Sequence, residues 1–292
     1  MTRLVSRWLS LLLLAVLLLA LAGCRREVVA PGDPVAAVKG LAAAVRANDL
    51  VRYSRLSLPP ELHRRVEAHW NRHRAGRPAA AAGKQRDYAR WMARLTEPNA
   101  EAKLYASFDR RMKKVEADMT SQWPLMKATG AIFLSGAVQA NPDLSPAEKS
   151  HAKALGSALL DWLTPERLAD RRRARLAIDE LVETARELDL PTLEASRQLE
   201  LVPALEKGGR ALKGLKQVGR IYGIDMDSSL ERVQARVVDL EGDVATMEVS
   251  YPLLGKTIRF QMQLLRRDGR WYSADAVRDA ERLLARAAKA KS

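Results

Sequence analysis

His63, His69 and His73 lie close together in the chain, and the i, i+4 spacing of His69 and His73 puts them on one face of a helix. That spacing suits a pair of metal ligands. The surroundings argue against it. No His-Glu-x-x-His run occurs, and Arg64, Arg65, Arg72 and Arg74 would repel a cation. An exposed polar helix face is expected here, with no metal. Ser150 and His151 are adjacent, but a Ser–His nucleophile needs an orienting third group and a strained turn, and no Gly-x-Ser-x-Gly is present. Gly209 and Gly214 are spaced as in a phosphate loop, yet Leu215-Lys216 follows where Lys-Ser/Thr would hold phosphate and Mg²⁺. Asp225 and Asp227 form a carboxylate pair at a helix-to-strand junction, where turn chemistry accounts for them. The chain therefore reads as non-enzymatic, with no cofactor.

One stretch carries charge in a pattern. Between Ala204 and Gly223, Leu212, Leu215, Val218, Ile221 and Tyr222 line one side of a helix, while Lys207, Arg210, Lys213, Lys216 and Arg220 are presented elsewhere. Cationic amphipathic helices lie on anionic surfaces, so these five basic residues are the candidate contact for one. Five glycines from Gly208 to Gly223 favour the other reading, a helix packed closely on a neighbour with a solvated basic rim.

The chain holds one cysteine, Cys24, which closes the tetrapeptide Leu21-Ala22-Gly23-Cys24. Arg3 and Arg7 precede an apolar run, Leu9 to Ala22, broken only by Ser10. That run is shorter than the roughly 20 residues a membrane-spanning helix needs. A positive start, a short apolar run and a small-residue site form an export signal. With no second thiol, an intrachain disulfide is excluded.

These residues resemble the lipobox of bacterial lipoprotein precursors, with every position from Leu21 to Cys24 matching. The resemblance implies cleavage before Cys24, a diacylglycerol (palmitate-type acyl chains) on its thiol and acylation of its new amine. Arg25 stands where Asp would retain an enteric lipoprotein in the inner membrane, so the resemblance implies an outer-membrane anchor facing the periplasm.

The formal net charge of +14 falls to +12 once Arg3 and Arg7 leave with the signal. Such charge ordinarily points to nucleic acid. Export removes that partner and leaves anionic lipid, lipopolysaccharide or wall polymer. Apolar residues make up 47% of the chain and aromatics only 5%, and the abundance of Ala, Leu and Arg favours helix.

The elements that must position these residues follow from periodicity. Asp33-Pro34 caps a helix carrying Val35, Val38, Leu41 and Val45 on one face. Ala75 to Gly83 is a linker. From Lys84 to Tyr222 the pattern is helical, with a capping box at Ser145 to Glu148 and an apolar stripe of Ile178, Leu181, Val182, Ala185 and Leu188, Arg171 to Arg173 turning outward. After Val233 the period becomes 2. Four short strands with turns at Gly242, Gly255 and Asp268-Gly269 predict an antiparallel meander, followed by a basic amphipathic helix, Arg278 to Lys291.

The expected fold class is α+β, a mainly helical body with a C-terminal four-stranded meander and a terminal helix. Residues 1–23 form the signal, 24–33 a tether and 34–292 one domain, helical over 34–223, sheet over 231–275 and helical over 276–291. Asp33 to Asp49 and Val233 to Ser273 together resemble the two ends of NTF2-like, cone-shaped lipoprotein domains, with a long helical insertion between them. The expectation is a non-enzymatic interaction or ligand-binding module, or alternatively an envelope protein that binds polyanions.

Overall fold

The computed structural model describes residues 28–74, 76, 79–142 and 144–289. Cys24 and the signal lie outside them. The chain is α+β, as expected. Its helices run in order α1 (Pro34–Arg46), α2 (Leu50–Ser57), α3 (Pro60–His73), α4 (Ala82–Thr96), α5 (Ala100–Ala140), α6 (Pro146–Trp162), α7 (Pro165–Ala169), α8 (Arg171–Leu188), α9 (Leu193–Arg197), α10 (Leu201–Ile221) and α11 (Met226–Glu231). Strands β1 (Gln234–Glu241), β2 (Val244–Leu253), β3 (Lys256–Arg267) and β4 (Arg270–Ser273) follow, and α12 (Ala274–Lys289) ends the fold.

Helix starts are set by short polar side chains. Asp33 accepts from the Ala36 amide at 2.6 Å ahead of Pro34, and Asp49 accepts from the Arg52 amide at 2.8 Å. Ser145 and Glu148 close the expected capping box. Asp225 caps a short helix, α11, in place of the expected helix-to-strand junction, which narrows the sheet from the expected 231–275 to residues 234–273. The terminal helix begins at Ala274, directly after β4.

The strands pair antiparallel in the order β1-β2-β3-β4. Both residues of the Leu254-Gly255 and Asp268-Gly269 turns have positive φ, the geometry that matches strand twist in a two-residue hairpin. In β2 and β3, Met247 faces Met262, Val249 faces Phe260 and Tyr251 faces Ile258, all on one surface of the sheet. Helix α1 covers this surface with Ala37 and Val38, which pack with Ala245, Met247, Leu264 and Trp271. Helix α6 covers its far end, where Ala158 meets Leu253 and Ile258. On the β3–β4 corner a second cluster joins Tyr272 to Val277 and Ala280 of α12, to Leu58 and Leu62, and to Ala30.

The helical body differs from expectation along α8. Ala174, Ala177, Val182 and Ala185 are its buried residues, while Leu181 is exposed. Small residues face inward because α10 approaches closely. A β-carbon on Gly214 would stand 2.0 Å from Thr184 Oγ1. Arg171 does not turn to solvent. Its guanidinium is bidentate on Glu116 of α5 at 2.7 and 2.8 Å and reaches Asp109 at 3.5 Å, fastening α8 to the long helix.

Candidate functional site

Two neighbouring cavities flank the inner face of the sheet. The larger, about 640 Å³, lies between α6, α7, α10, α11 and the end of β2. Its walls are almost wholly apolar and include Leu155, Leu159, Trp162, Leu215, Tyr222 and Leu253. Trp162 and Tyr222 meet edge to face at 6.5 Å, which fixes one end of the wall. Arg167 is the charged group at this cavity. It lies over the Trp162 ring at 5.1 Å and donates to the Trp162 carbonyl.

The smaller cavity, about 360 Å³, sits between the sheet and helices α1, α2 and α6. Val38, Leu41, Phe260 and Met262 make its apolar part, and Tyr53, Glu148, His151 and Asp275 add polar groups. Leu230 and Tyr251 line both cavities and form their common wall.

His151 is the polar centre of this region. Its ring stacks on Phe260 at 4.0 Å and meets Tyr251 edge-on at 5.9 Å, while Nε2 and the Tyr251 hydroxyl share a hydrogen bond of 2.7 Å. Burial pushes the Tyr251 hydroxyl up to about 12 and pulls the His151 imidazole below its ordinary value. Each shift favours the neutral form, so at pH 7 the pair is an uncharged hydrogen bond inside an aromatic cluster. Burial also raises the Tyr53 hydroxyl, with the Glu148 charge adding to the effect.

A neutral pair of this kind orients a ligand hydroxyl or carbonyl. Ser150, beside His151 in sequence, is exposed and does not line this cavity.

Helix α6 is pinned over the site from outside. Asp161 lies between Lys127 of α5, at 2.8 Å, and Lys256 of β3. Hydrogen bonds from these two ammonium groups bring its carboxyl down to about 2.

The other sequence candidates do not converge. His63 is buried, with Nε2 3.1 Å from Ser54 Oγ and Nδ1 3.8 Å from Glu67, beside an open, charged cleft. His69 and His73 stack on each other at 4.2 Å, and His73 Nδ1 lies 2.8 Å from the His69 carbonyl. No cluster of metal-ligating side chains occurs among the described residues. Gly209 is a contact glycine: a β-carbon there would stand 2.2 Å from the Asn48 carbonyl oxygen.

Of the five basic residues of α10, Arg210, Lys213 and Arg220 are exposed, and Lys216 is buried and so is not presented to a surface. Lys207 turns back onto the Leu188 carbonyl, and Arg210 reaches the Glu187 carbonyl at 3.5 Å. Lys213 is exposed. Arg220 pairs with Asp227 at 2.9 Å, and Lys216 is buried against the same carboxylate. The glycines draw α10 into the body, and the helix follows them.

His151 was visible in the sequence, but its partners lie about a hundred residues away. Alternation did place Tyr251 and Phe260 on strands; a helix crossing above them has no local signal. No family model matches the chain, and comparison with curated proteins and with solved structures yields no match.

Proposed function

We propose that this chain is a lipid-anchored envelope protein, held at the outer membrane through Cys24 and facing the periplasm, whose body binds a small apolar or amphiphilic molecule. The lipobox Leu21 to Cys24 supports the anchor. The single observation that carries the binding role is the apolar cavity of about 640 Å³ ending at Tyr251. Ligand sites fall at about 300–1,000 Å³, mostly apolar, with few oriented polar groups. Here the apolar part is the α6–α10 cavity, and the oriented groups are Tyr251 on its shared wall and His151, which holds the Tyr251 hydroxyl from the smaller cavity.

Two measurements test this reading. The mature protein purified in detergent should weigh more than residues 24–292 alone by its acyl groups, and it should enter the detergent phase on partitioning. A mass equal to the bare polypeptide would remove the anchor. Titration with the fluorescent apolar probe N-phenyl-1-naphthylamine should saturate at one site, and Leu159→Trp, at the half-exposed rim, should weaken it about tenfold. Binding unaffected by Leu159→Trp, or absent throughout, would remove the cavity from the function.

A further inference from the structure

The path of the chain into the fold constrains how an anchored body would stand. Ala30 is fully buried between Tyr272, Val277 and Leu62. Its carbonyl accepts from Arg270 Nη1 at 2.9 Å, and the Pro31 carbonyl accepts from the Trp271 amide at 3.0 Å. A β-carbon on Gly32 would stand 3.2 Å from the Gly269 carbonyl. Residues 30–32 thus run along β4 and end beside the β3–β4 turn. Six peptide links separate Cys24 from Ala30, and they span no more than about 22 Å.

That turn is basic. Arg266, Arg267 and Arg270 are exposed around Asp268. Neither Arg266 nor Arg267 has a carboxylate partner among the described residues. The Arg266 amide donates to the Asp243 carbonyl at 2.8 Å, which brings the β1–β2 turn, with the exposed carboxylates of Glu241 and Asp243, to the same end of the sheet and leaves the arginines clustered on the β3–β4 side. In the sequence Arg25 and Arg26 precede the buried segment.

We propose that this end of the sheet, centred on Arg266 and Arg267, docks on the anionic headgroups of the bilayer that holds the Cys24 lipid. The proposal rests on the anchor reading. The short link keeps the turn within reach of the headgroups, and guanidinium groups engage lipid phosphates there. Lipid and basic surface together make a two-part attachment, with the body fixed in one orientation.

The test uses the full lipidated protein in vesicles of phosphatidylglycerol and phosphatidylcholine. Cys24 carries lipid in this reading, so Asp243→Cys provides a single reactive thiol next to Arg266, and Lys213→Cys provides one on α10. A nitroxide at position 243 should be shielded from an aqueous relaxation agent, while one at position 213 should stay accessible. Arg266→Glu with Arg267→Glu should raise accessibility at 243 roughly tenfold while leaving the protein on the vesicles. Arg110→Glu with Arg111→Glu, the same charge change on α5, should not. Accessibility at 243 that equals that at 213, or that ignores the first charge reversal, would overturn the docking. Loss of the protein from the vesicles before any substitution would instead overturn the anchor, and the docking with it.

Discussion

Lys216 of α10 places its Nζ 2.7 Å from Asp227 Oδ1, with the lysine side chain only 3% exposed. The same ammonium donates to the Val45 carbonyl at 2.7 Å and the Arg46 carbonyl at 2.9 Å. Those carbonyls end α1, where intrahelical partners run out and where the helix dipole favours a cation. One side chain therefore joins α1, α10 and α11. Lys216→Met keeps the apolar stem but removes the donor to the Arg46 carbonyl, leaves the Val45 carbonyl with the Asn48 amide at 3.1 Å alone, and takes one of two cations from Asp227. The loss should be about 3 kcal/mol in urea unfolding. Lys213→Met, three residues away on the exposed side, should change stability by less than about 0.5 kcal/mol.

The glycines of the helical body sort by what faces them. Gly209→Ala would press on backbone at Asn48, which cannot move aside, and should cost at least about 2 kcal/mol. Gly214→Ala presses on the Thr184 side chain, so Thr184→Ala should recover part of the loss. At Gly136 of α5 nothing lies within 4 Å, and Gly136→Ala should stabilise by up to about 1 kcal/mol through helix propensity alone. Thermal unfolding of the three single variants and the Gly214→Ala/Thr184→Ala pair checks the order.

Acid should weaken the fold through two histidines. Burial lowers both His151 and His63, so below their ordinary value of about 6.5 the unfolded chain binds protons that the folded chain does not. Stability then holds above about pH 6.5 and falls as pH drops toward the folded values. His151→Phe keeps the stack on Phe260 and removes one of the two groups. It should lower stability at pH 7 by about 1–2 kcal/mol, since the Tyr251 hydroxyl loses its partner. Its melting temperature should also change less between pH 7 and pH 5 than that of the unmodified protein. An unchanged pH slope would show that His151 does not contribute.

Helix α5 carries an apolar face that the body does not cover. Leu125, Met126, Ile132 and Phe133 fall at i, i+1, i+7 and i+8, and Ile132 and Phe133 are 73% and 74% exposed. Ile132→Ser with Phe133→Ser should therefore change the unfolding free energy by less than about 1 kcal/mol, which denaturant titration measures. A larger loss would mean that this face is packed in solution.

The sheet was readable because a period of 2 and Gly-containing turns are local: Ile258, Phe260, Met262 and Leu264 share the inner face as their alternation implied. Helix α1 was readable for the same reason, from Asp33-Pro34 and its apolar stripe. The orientation of α8 was not. Its larger residue Leu181 points to solvent because Ala174, Ala177 and Ala185 admit neighbouring helices that larger side chains would hold off. Charge misled in the same way on α10. Lys216 looks like a surface lysine until the end of α1 arrives beside it, and that meeting depends on a separation of 170 residues. The cavities share this property, since each wall comes from a different stretch of chain.

Val38 packs on Met247 and Trp271, so the first helix closes over strands from the opposite end of the polypeptide. Without β4 that helix keeps Leu56 of α2 and the β2–β3 surface but loses Trp271 from its cover. The first helix and the last strand are thereby made into one packed layer, so the inner face of the sheet is complete only when both ends of the described chain are in place.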